Sequence, residues 1–176
     1  MILIGFMGAG KTSVGRALAA NLGWAFEDLD ERVERRAGRE IVDIFRESGE
    51  DTFRKLEHSA LKELLDDLGS LKEKEKVIAL GGGAFVQKSN AALIAAAKIP
   101  TAFLDADIEE LWERCERQSR HLVIERPLMG DPQRFRNLYR ERRPHYLKAS
   151  LRQETGGKTV EQIAAELIEA LGLRRK

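Results

Sequence analysis

The chain has 176 residues, 43% hydrophobic and 34% charged, which suits one compact domain with a buried core. Its net charge of +1 argues against a nucleic-acid partner. No apolar run approaches the ~20 residues of a membrane span, and no secretory signal pattern is present. A single cysteine excludes an internal disulfide and a cysteine-based metal site. We therefore expect a cytoplasmic protein without a membrane partner.

Segments typical of strands and of helices alternate from one end of the chain to the other. In chain order the patterns predict a strand at 1–4, a helix at 11–22, a strand at 24–26, helical sequence from 30 with breaks at Gly38 and Gly49, a helix from 50, a strand at 77–80, a helix at 90–97, a strand at 101–104, a helix at 108–117, irregular sequence to Pro132, a helix to about 148, a weak strand at 150–152 and a helix at 159–171. This alternation predicts an α/β fold, with a single domain at 1–176 and a parallel sheet of about five strands covered by helices on both faces.

Residues 5–12 read GFMGAGKT and match the GxxxxGK[ST] pattern of a phosphate-binding loop, between a predicted strand and a predicted helix. Glycines allow consecutive N–H groups to turn toward a phosphate, and the helix adds the positive end of its dipole. We expect Lys11 to contact the β- and γ-phosphates of ATP and the Thr12 hydroxyl to bind Mg²⁺. The predicted nucleotide contacts here are Gly8, Ala9, Gly10, Lys11, Thr12 and Ser13. Such loops also occur in GTPases, motors and regulators, so the loop does not identify the acceptor.

Two carboxylates, Asp28 and Asp30, follow the second predicted strand. In a doubly wound sheet this strand ends beside the phosphate loop. We predict that Asp28 holds a water of the Mg²⁺ shell, and that Asp30 accepts a hydrogen bond from the acceptor hydroxyl and favours its deprotonation. A helix cap followed by a surface acid is the alternative interpretation of the pair.

Four further segments are weak indicators when each is taken alone. The segments are GEDTFRKLE at 49–57, GGG at 81–83, RPL at 126–128 and ERRPHY at 141–146.

Arginines are concentrated in the second half of the chain, with nine from Arg114 to Arg143. This is more than a solvated helix face requires, and arginines suit phosphate or carboxylate ligands.

Together and in this order, the phosphate loop, the Asp-x-Asp pair and these four segments resemble the shikimate kinase family, and the likeness runs from residue 1 to about 150. The resemblance implies transfer of the ATP γ-phosphate to the 3-hydroxyl of shikimate, a step toward chorismate and the aromatic amino acids. The partners expected on this basis are ATP, Mg²⁺ and a small-molecule substrate, and we expect the chain to be a monomer.

The resemblance also implies residue roles. It places Asp30 on the substrate hydroxyls, and Arg54 and Arg142 on the carboxylate. The turn of Gly81, Gly82 and Gly83 closes over the ring. Arg126 reaches the transferring phosphate from a lid at about 115–130, and Arg114 packs against the adenine. The implied catalytic residues are Lys11, Asp30 and Arg126, the implied metal residues are Thr12 and Asp28, and the substrate-binding helices fall at about 30–65.

The chain departs from the family pattern at several positions. Ala79 stands two residues before the GGG turn, where the family often has Ser or Thr near the metal. Eleven residues separate Arg114 from Arg126, more than we expect for this lid. Arg142 and Arg143 compete for the carboxylate, and the spacing to Pro144 and Tyr146 favours Arg142. Adenine contacts near Lys158 stay open.

Three other functions remain alternatives at this stage. A related kinase acting on gluconate also fits, because gluconate offers a carboxylate and hydroxyls, and a nucleoside monophosphate kinase is a second alternative. A regulatory domain that kept the fold without turnover is a third. The presence of Lys11, Asp28 and Asp30 argues against the regulatory domain.

Overall fold

The computed structural model describes residues 1–69, 75–121 and 131–174. Its elements alternate as the sequence predicts. The strands are β1 (Ile2–Ile4), β2 (Ala25–Asp28), β3 (Lys76–Ala79), β4 (Thr101–Asp105) and β5 (Leu151–Glu154). The helices are α1 (Lys11–Leu22), α2 (Leu29–Ala37), α3 (Ile41–Gly69), α4 (Lys88–Ala97), α5 (Ile108–His121), α6 (Pro132–Tyr146) and α7 (Val160–Ala170), with a 3₁₀ turn at Ala84–Val86.

The five strands form one parallel sheet in the order β2-β3-β1-β4-β5, which confirms the predicted fold class. Strand β1 is central, and Ile2 pairs with both Ile78 and Thr101. It consists of three fully buried aliphatic residues, as expected for a strand covered on both faces. The loop that follows β1 therefore emerges in the middle of the carboxyl edge of the sheet.

Helices cover this sheet and complete its core. Helix α1 packs against α7, and α2 packs against α3. Large buried side chains such as Phe6, Phe103, Phe135 and Tyr146 fill the space between layers. Within the described ranges, no helix is long and apolar enough to cross a bilayer.

Several predicted boundaries were wrong, most by one or two residues. Strand β2 extends two residues further, to Asp28, and β5 extends to Glu154, because parallel pairing with a buried neighbour supports polar residues that an apolar pattern misses. Helix α5 continues to His121, although the sequence predicted its end at Arg117. Residues 118–121 contain no Gly or Pro, so nothing in their backbone stops the helix.

Helix α3 is interrupted at Gly49, as the sequence predicts. Gly49 has φ 77° and ψ 173°, a conformation that only glycine adopts without strain. The break separates the first turns of α3 from the segment that carries Phe53 and Arg54. Ion pairs Arg32–Asp67 and Arg36–Glu63 join α2 to the second segment.

Candidate active site

The phosphate loop follows β1 and ends where α1 begins. Gly8 and Gly10 have φ angles of 79° and 84°, which are left-handed and favour glycine. A β-carbon on Gly8 would also lie only 2.7 Å from the carbonyl oxygen of Leu111. Nζ of Lys11 donates to the carbonyl oxygens of Gly5 and Phe6, each at 2.9 Å. The lysine therefore lies across the loop, with its charge inside the curve that the backbone makes.

Thr12 and Asp28 meet beside this loop. Oγ1 of Thr12 donates to Oδ2 of Asp28 at 2.8 Å, and Oδ1 of Asp28 accepts from the backbone N–H of Asp30 at 3.0 Å. Asp28 thus caps α2 with one oxygen and faces the phosphate loop with the other. The helix cap of the alternative interpretation is therefore present at Asp28, but Asp30 is not the surface acid that this interpretation expected. The role of Asp28 toward Mg²⁺ stays a prediction.

Asp30 lies in the first turn of α2 and is partly buried. Burial and the nearby Asp28 raise its pKa to about 6, against the opposing charge of Lys11. A carboxylate with its pKa in this range is ionised at neutral pH but retains the basicity to accept a proton.

The GGG turn after β3 brings three charged side chains together. A β-carbon on Gly81 would collide with Oδ1 of Asp30, and one on Gly83 would lie 2.7 Å from Nη1 of Arg54. At Gly82 the space is wider, because a β-carbon there would lie 3.8 Å from Nη1 of Arg142. A side chain at position 81 or 83 would therefore have to displace the carboxylate of Asp30 or the guanidinium of Arg54.

Arg54 is held by acids on its own helix. Its guanidinium donates to Glu50 and to both carboxylate oxygens of Glu57, the latter at 3.1 Å. Glu57 is only 1% exposed, and burial raises its pKa to about 7 against the effect of Arg54. The spacing of three residues on one helix predicts this contact, but sequence reasoning gave Glu57 no role.

The two adjacent arginines of α6 face different surroundings. Arg143 donates to Oδ2 of Asp105 at 2.7 Å. Arg142 lies near Gly82 and near Tyr146, whose hydroxyl donates to the carbonyl oxygen of Gly82. Burial raises the pKa of Tyr146 to about 12, against the opposing effect of Arg142. Of the two, Arg142 is therefore the one directed toward the GGG turn.

A cavity of about 640 Å³ opens between α3 and α6. Arg54 contributes from α3, and Arg134 and Arg142 contribute from α6, so three guanidinium groups line one space. The carboxylates of Glu50 and Glu141 also line it. Ile41, Val42 and Phe45, from the turns before Gly49, form an apolar wall. Such a space suits a small ring with an anionic group.

Arg114 lies on the side of the phosphate loop away from that cavity. Its Nη2 donates to the backbone carbonyl of Thr155 at 2.9 Å and also to Glu110. The segment after β5 is thereby held against α5. Lys158, three residues further on, pairs with Glu166 at 2.6 Å.

The structure brings most of the predicted residues to one edge of the sheet. Phosphate-loop residues lie at the centre, the acidic pair and the GGG turn on the β2–β3 side, and Arg114 on the β4–β5 side. Ser13 is exposed at the start of α1. Arg126 and residues 122–130 of the predicted lid lie outside the described residues, whereas residues 115–121 belong to α5. Glu57 and Tyr146 are the contributors to the site that sequence reasoning left without a role.

Comparisons with known proteins agree with this arrangement. A family model for shikimate kinase matches residues 7–172. The shikimate kinase of Cereibacter sphaeroides is 40% identical over 99% of this chain and 83% of the relative. That of Thermus thermophilus is 39% identical over 96% of this chain and 88% of the relative.

The fold is also similar to solved structures. The shikimate kinase of Acinetobacter baumannii, in complex with shikimate, matches with a TM-score of 0.83 and 32% identity. The match covers 97% of this chain and 90% of that structure.

Proposed function

This chain belongs to the shikimate kinase family, and on that premise we propose that it transfers the γ-phosphoryl group of ATP to the 3-hydroxyl of shikimate. The observation that carries the proposal is the convergence of Asp30, Arg54 and Arg142 on the GGG turn beside the phosphate loop. A carboxylate acceptor for a hydroxyl and two cations for a carboxylate match the two functional ends of shikimate.

The phosphate loop binds the triphosphate of ATP in this proposal. Backbone N–H groups from Gly8 to Ser13 surround the β-phosphate, and Lys11 exchanges its bonds to loop carbonyls for the β- and γ-phosphates. Arg114 and the segment at Thr155, already joined by a hydrogen bond, contact the adenine.

The residues at the start of α1 and the end of β2 fit Mg²⁺. The Thr12 hydroxyl and an Asp28 carboxylate oxygen lie 2.8 Å apart, and both are the hard oxygen donors that Mg²⁺ prefers. Thr12 would bind the ion directly and Asp28 through water. When bound, the ion neutralises charge on the phosphates. Ala79 contributes no donor side chain here.

Asp30 acts on the acceptor. It accepts a hydrogen bond from the 3-hydroxyl and takes its proton as the oxygen attacks the γ-phosphorus. Its position in the first turn of α2, against Gly81, fixes the carboxylate relative to Lys11. Arg54 and Arg142 hold the substrate carboxylate at the far end, so that the ring spans the distance between them and Asp30.

Other parts of the proposal rest on the family resemblance. Arg126, from a lid at about 115–130, reaches the transferring phosphoryl group when the lid closes, which stabilises the transition state more than the ground state. We place the protein in the cytoplasm, as a monomer serving aromatic amino-acid synthesis.

Substrate preference tests the proposal. In a coupled ADP-release assay across shikimate, gluconate and nucleoside monophosphates, we expect turnover with shikimate to exceed turnover with gluconate by at least about tenfold, or ~1.4 kcal/mol in the barrier. The reason is that a rigid ring fits the space between Asp30 and the two arginines, whereas an open chain must be ordered first. Equal turnover of both acids would contradict the substrate assignment and leave the kinase assignment intact.

A second prediction concerns the carboxylate. Arg54→Ala and Arg142→Ala should each weaken shikimate binding by ~2 kcal/mol or more, because a buried charge loses its partner. Binding of ADP should change little, and calorimetry measures both. Lys55→Ala and Arg140→Ala remove exposed cations from the same two helices and serve as controls. Loss of ADP binding in the Arg54 or Arg142 variants would instead place these arginines on the phosphate side.

A further inference from the structure

A buried carboxylate outside the site described so far lies at the end of β4. Asp105 is 2% exposed and accepts from three side chains. Oδ2 accepts from Arg143 at 2.7 Å and from Arg152 at 2.9 Å, and Oδ1 accepts from the Tyr139 hydroxyl at 3.0 Å. Nε of Arg143 also donates to that hydroxyl at 3.1 Å. Two of the three donors belong to α6 and the third to β5.

The last turn of α6 needs such anchors. Pro144 lies inside the helix and has no N–H, so the carbonyl of Arg140 receives no backbone hydrogen bond from it. Arg142 lies within this weakened turn. Successive residues of a helix point about 100° apart, so fixing Arg143 toward Asp105 also fixes the direction of Arg142.

The backbone of Asp105 supports the part of the site that we assign to ATP. The carbonyl oxygen of Asp105 accepts from the backbone N–H of Thr155 at 2.8 Å and from its hydroxyl at 3.1 Å. Thr155 in turn holds Arg114. A side-chain substitution at 105 leaves this carbonyl in place, and β5 stays paired with β4 along its length.

We propose that Asp105 is a positioning residue, whose side chain directs Arg142 into the substrate cavity by holding Arg143 and Tyr139. The proposal rests on the carboxylate role of Arg142 in the proposed function. It requires the side chain of Asp105 to affect the acid substrate and not the nucleotide.

Asp105→Asn tests this in the full chain. We expect the KM for shikimate to rise about tenfold, while the KM for ATP stays within about threefold. The reason is that the substitution frees only the side chain of Arg142, which contacts the acid substrate and not the nucleotide. Arg143→Met removes one donor on α6 and should reproduce this split. Arg152→Met removes a donor to the same oxygen from β5, and should leave both constants near the wild-type values. Arg143 and Arg152 are 33% and 49% exposed, so water can solvate either guanidinium when Asp105 is neutralised.

Combination with Arg142→Ala separates this inference from the proposed function. If Asp105 acts through Arg142, Asp105→Asn should add less than about twofold to the shikimate KM in the Arg142→Ala background. An unchanged shikimate KM in Asp105→Asn and Arg143→Met, with a weakened Arg142→Ala enzyme, would overturn the inference alone. Equal rises in both KM values, accompanied by a lower Tm, would also overturn it, since they indicate a general structural role. Full shikimate affinity in Arg142→Ala would instead contradict the proposed carboxylate site.

Discussion

Replacement of Lys11 by alanine is expected to remove most phosphoryl transfer while leaving the fold intact. In the structure Nζ of Lys11 lies across the phosphate loop on the carbonyls of Gly5 and Phe6. When ATP binds, Nζ exchanges these two hydrogen bonds for hydrogen bonds to phosphate oxygens. Its positive charge is then fixed beside the β- and γ-phosphates, between which negative charge shifts during transfer. Without it, kcat should fall by about 10² to 10³, the range seen when one transition-state donor is lost.

Steady-state kinetics with ATP and shikimate measures this loss, and thermal unfolding monitors the fold. Lys55→Ala provides the matched control, because that lysine is exposed on α3. We expect the Lys11→Ala protein to unfold within a few degrees of the wild type, since the lysine is only partly buried. A Lys11→Ala enzyme that turns over within a few-fold of wild type would contradict the proposed role of the loop.

Asp30→Asn should lower activity and raise stability together. The amide cannot take the proton of the acceptor hydroxyl, so kcat should fall by about 10² to 10⁴.

In the wild type, kcat/KM should decline as the pH falls through about 6. Burial raises the pKa of Asp30 to about 6, and its protonated form cannot act as a base.

The same shift predicts how stability depends on pH. The folded state holds the Asp30 proton more tightly than the unfolded chain does, so its contribution to the free energy of unfolding falls as pH rises from about 4 to 6. Above that range the buried anion costs about 1 to 3 kcal/mol, taking 1.36 kcal/mol per pKa unit and allowing for neighbouring charges. Asp30→Asn should therefore be more stable than wild type at pH 8 and equal to it near pH 4.

Urea unfolding at the two pH values measures the difference. Glu31→Gln, which neutralises an exposed neighbour paired with Arg16, is the control and should change stability little at either pH. If the Asp30→Asn protein is instead less stable than wild type at pH 8, the ionised carboxylate stabilises the fold. That result would contradict the predicted cost of burying it.

Much of this molecule could be predicted from sequence because its signals are local. The phosphate loop carries its own glycines, lysine and hydroxyl within eight residues, and apolar runs mark the buried strands β1, β3 and β4. The choice of Arg142 over Arg143 followed from spacing, and the structure directs those side chains to different partners. Its role in binding stays a prediction.

What could not be predicted depends on contacts between distant segments. Asp105 resembles any acid at the end of a strand until Arg143 and Arg152 are brought to it by the fold. The high pKa of Glu57 arises from burial, which no local pattern reveals. Strand β5 has a polar sequence and depends on β4 for its hydrogen bonds. The end of α5 was predicted too early because polar residues occur both inside exposed helices and in loops, so a polar run does not mark where a helix ends.

The central place of β1 has a consequence for biosynthesis. This strand is synthesised before its partners Ile78 and Thr101, which lie far along the chain. The loop after it packs on the backbone of Leu104 and Leu111, which emerge later still. A nascent chain that stops before β4 therefore contains the whole nucleotide motif without the neighbours that hold its shape. Late pairing of this kind makes folding slow and exposes apolar segments in the meantime. Nucleotide affinity should accordingly appear only after about residue 115 has been synthesised and released from the ribosomal tunnel.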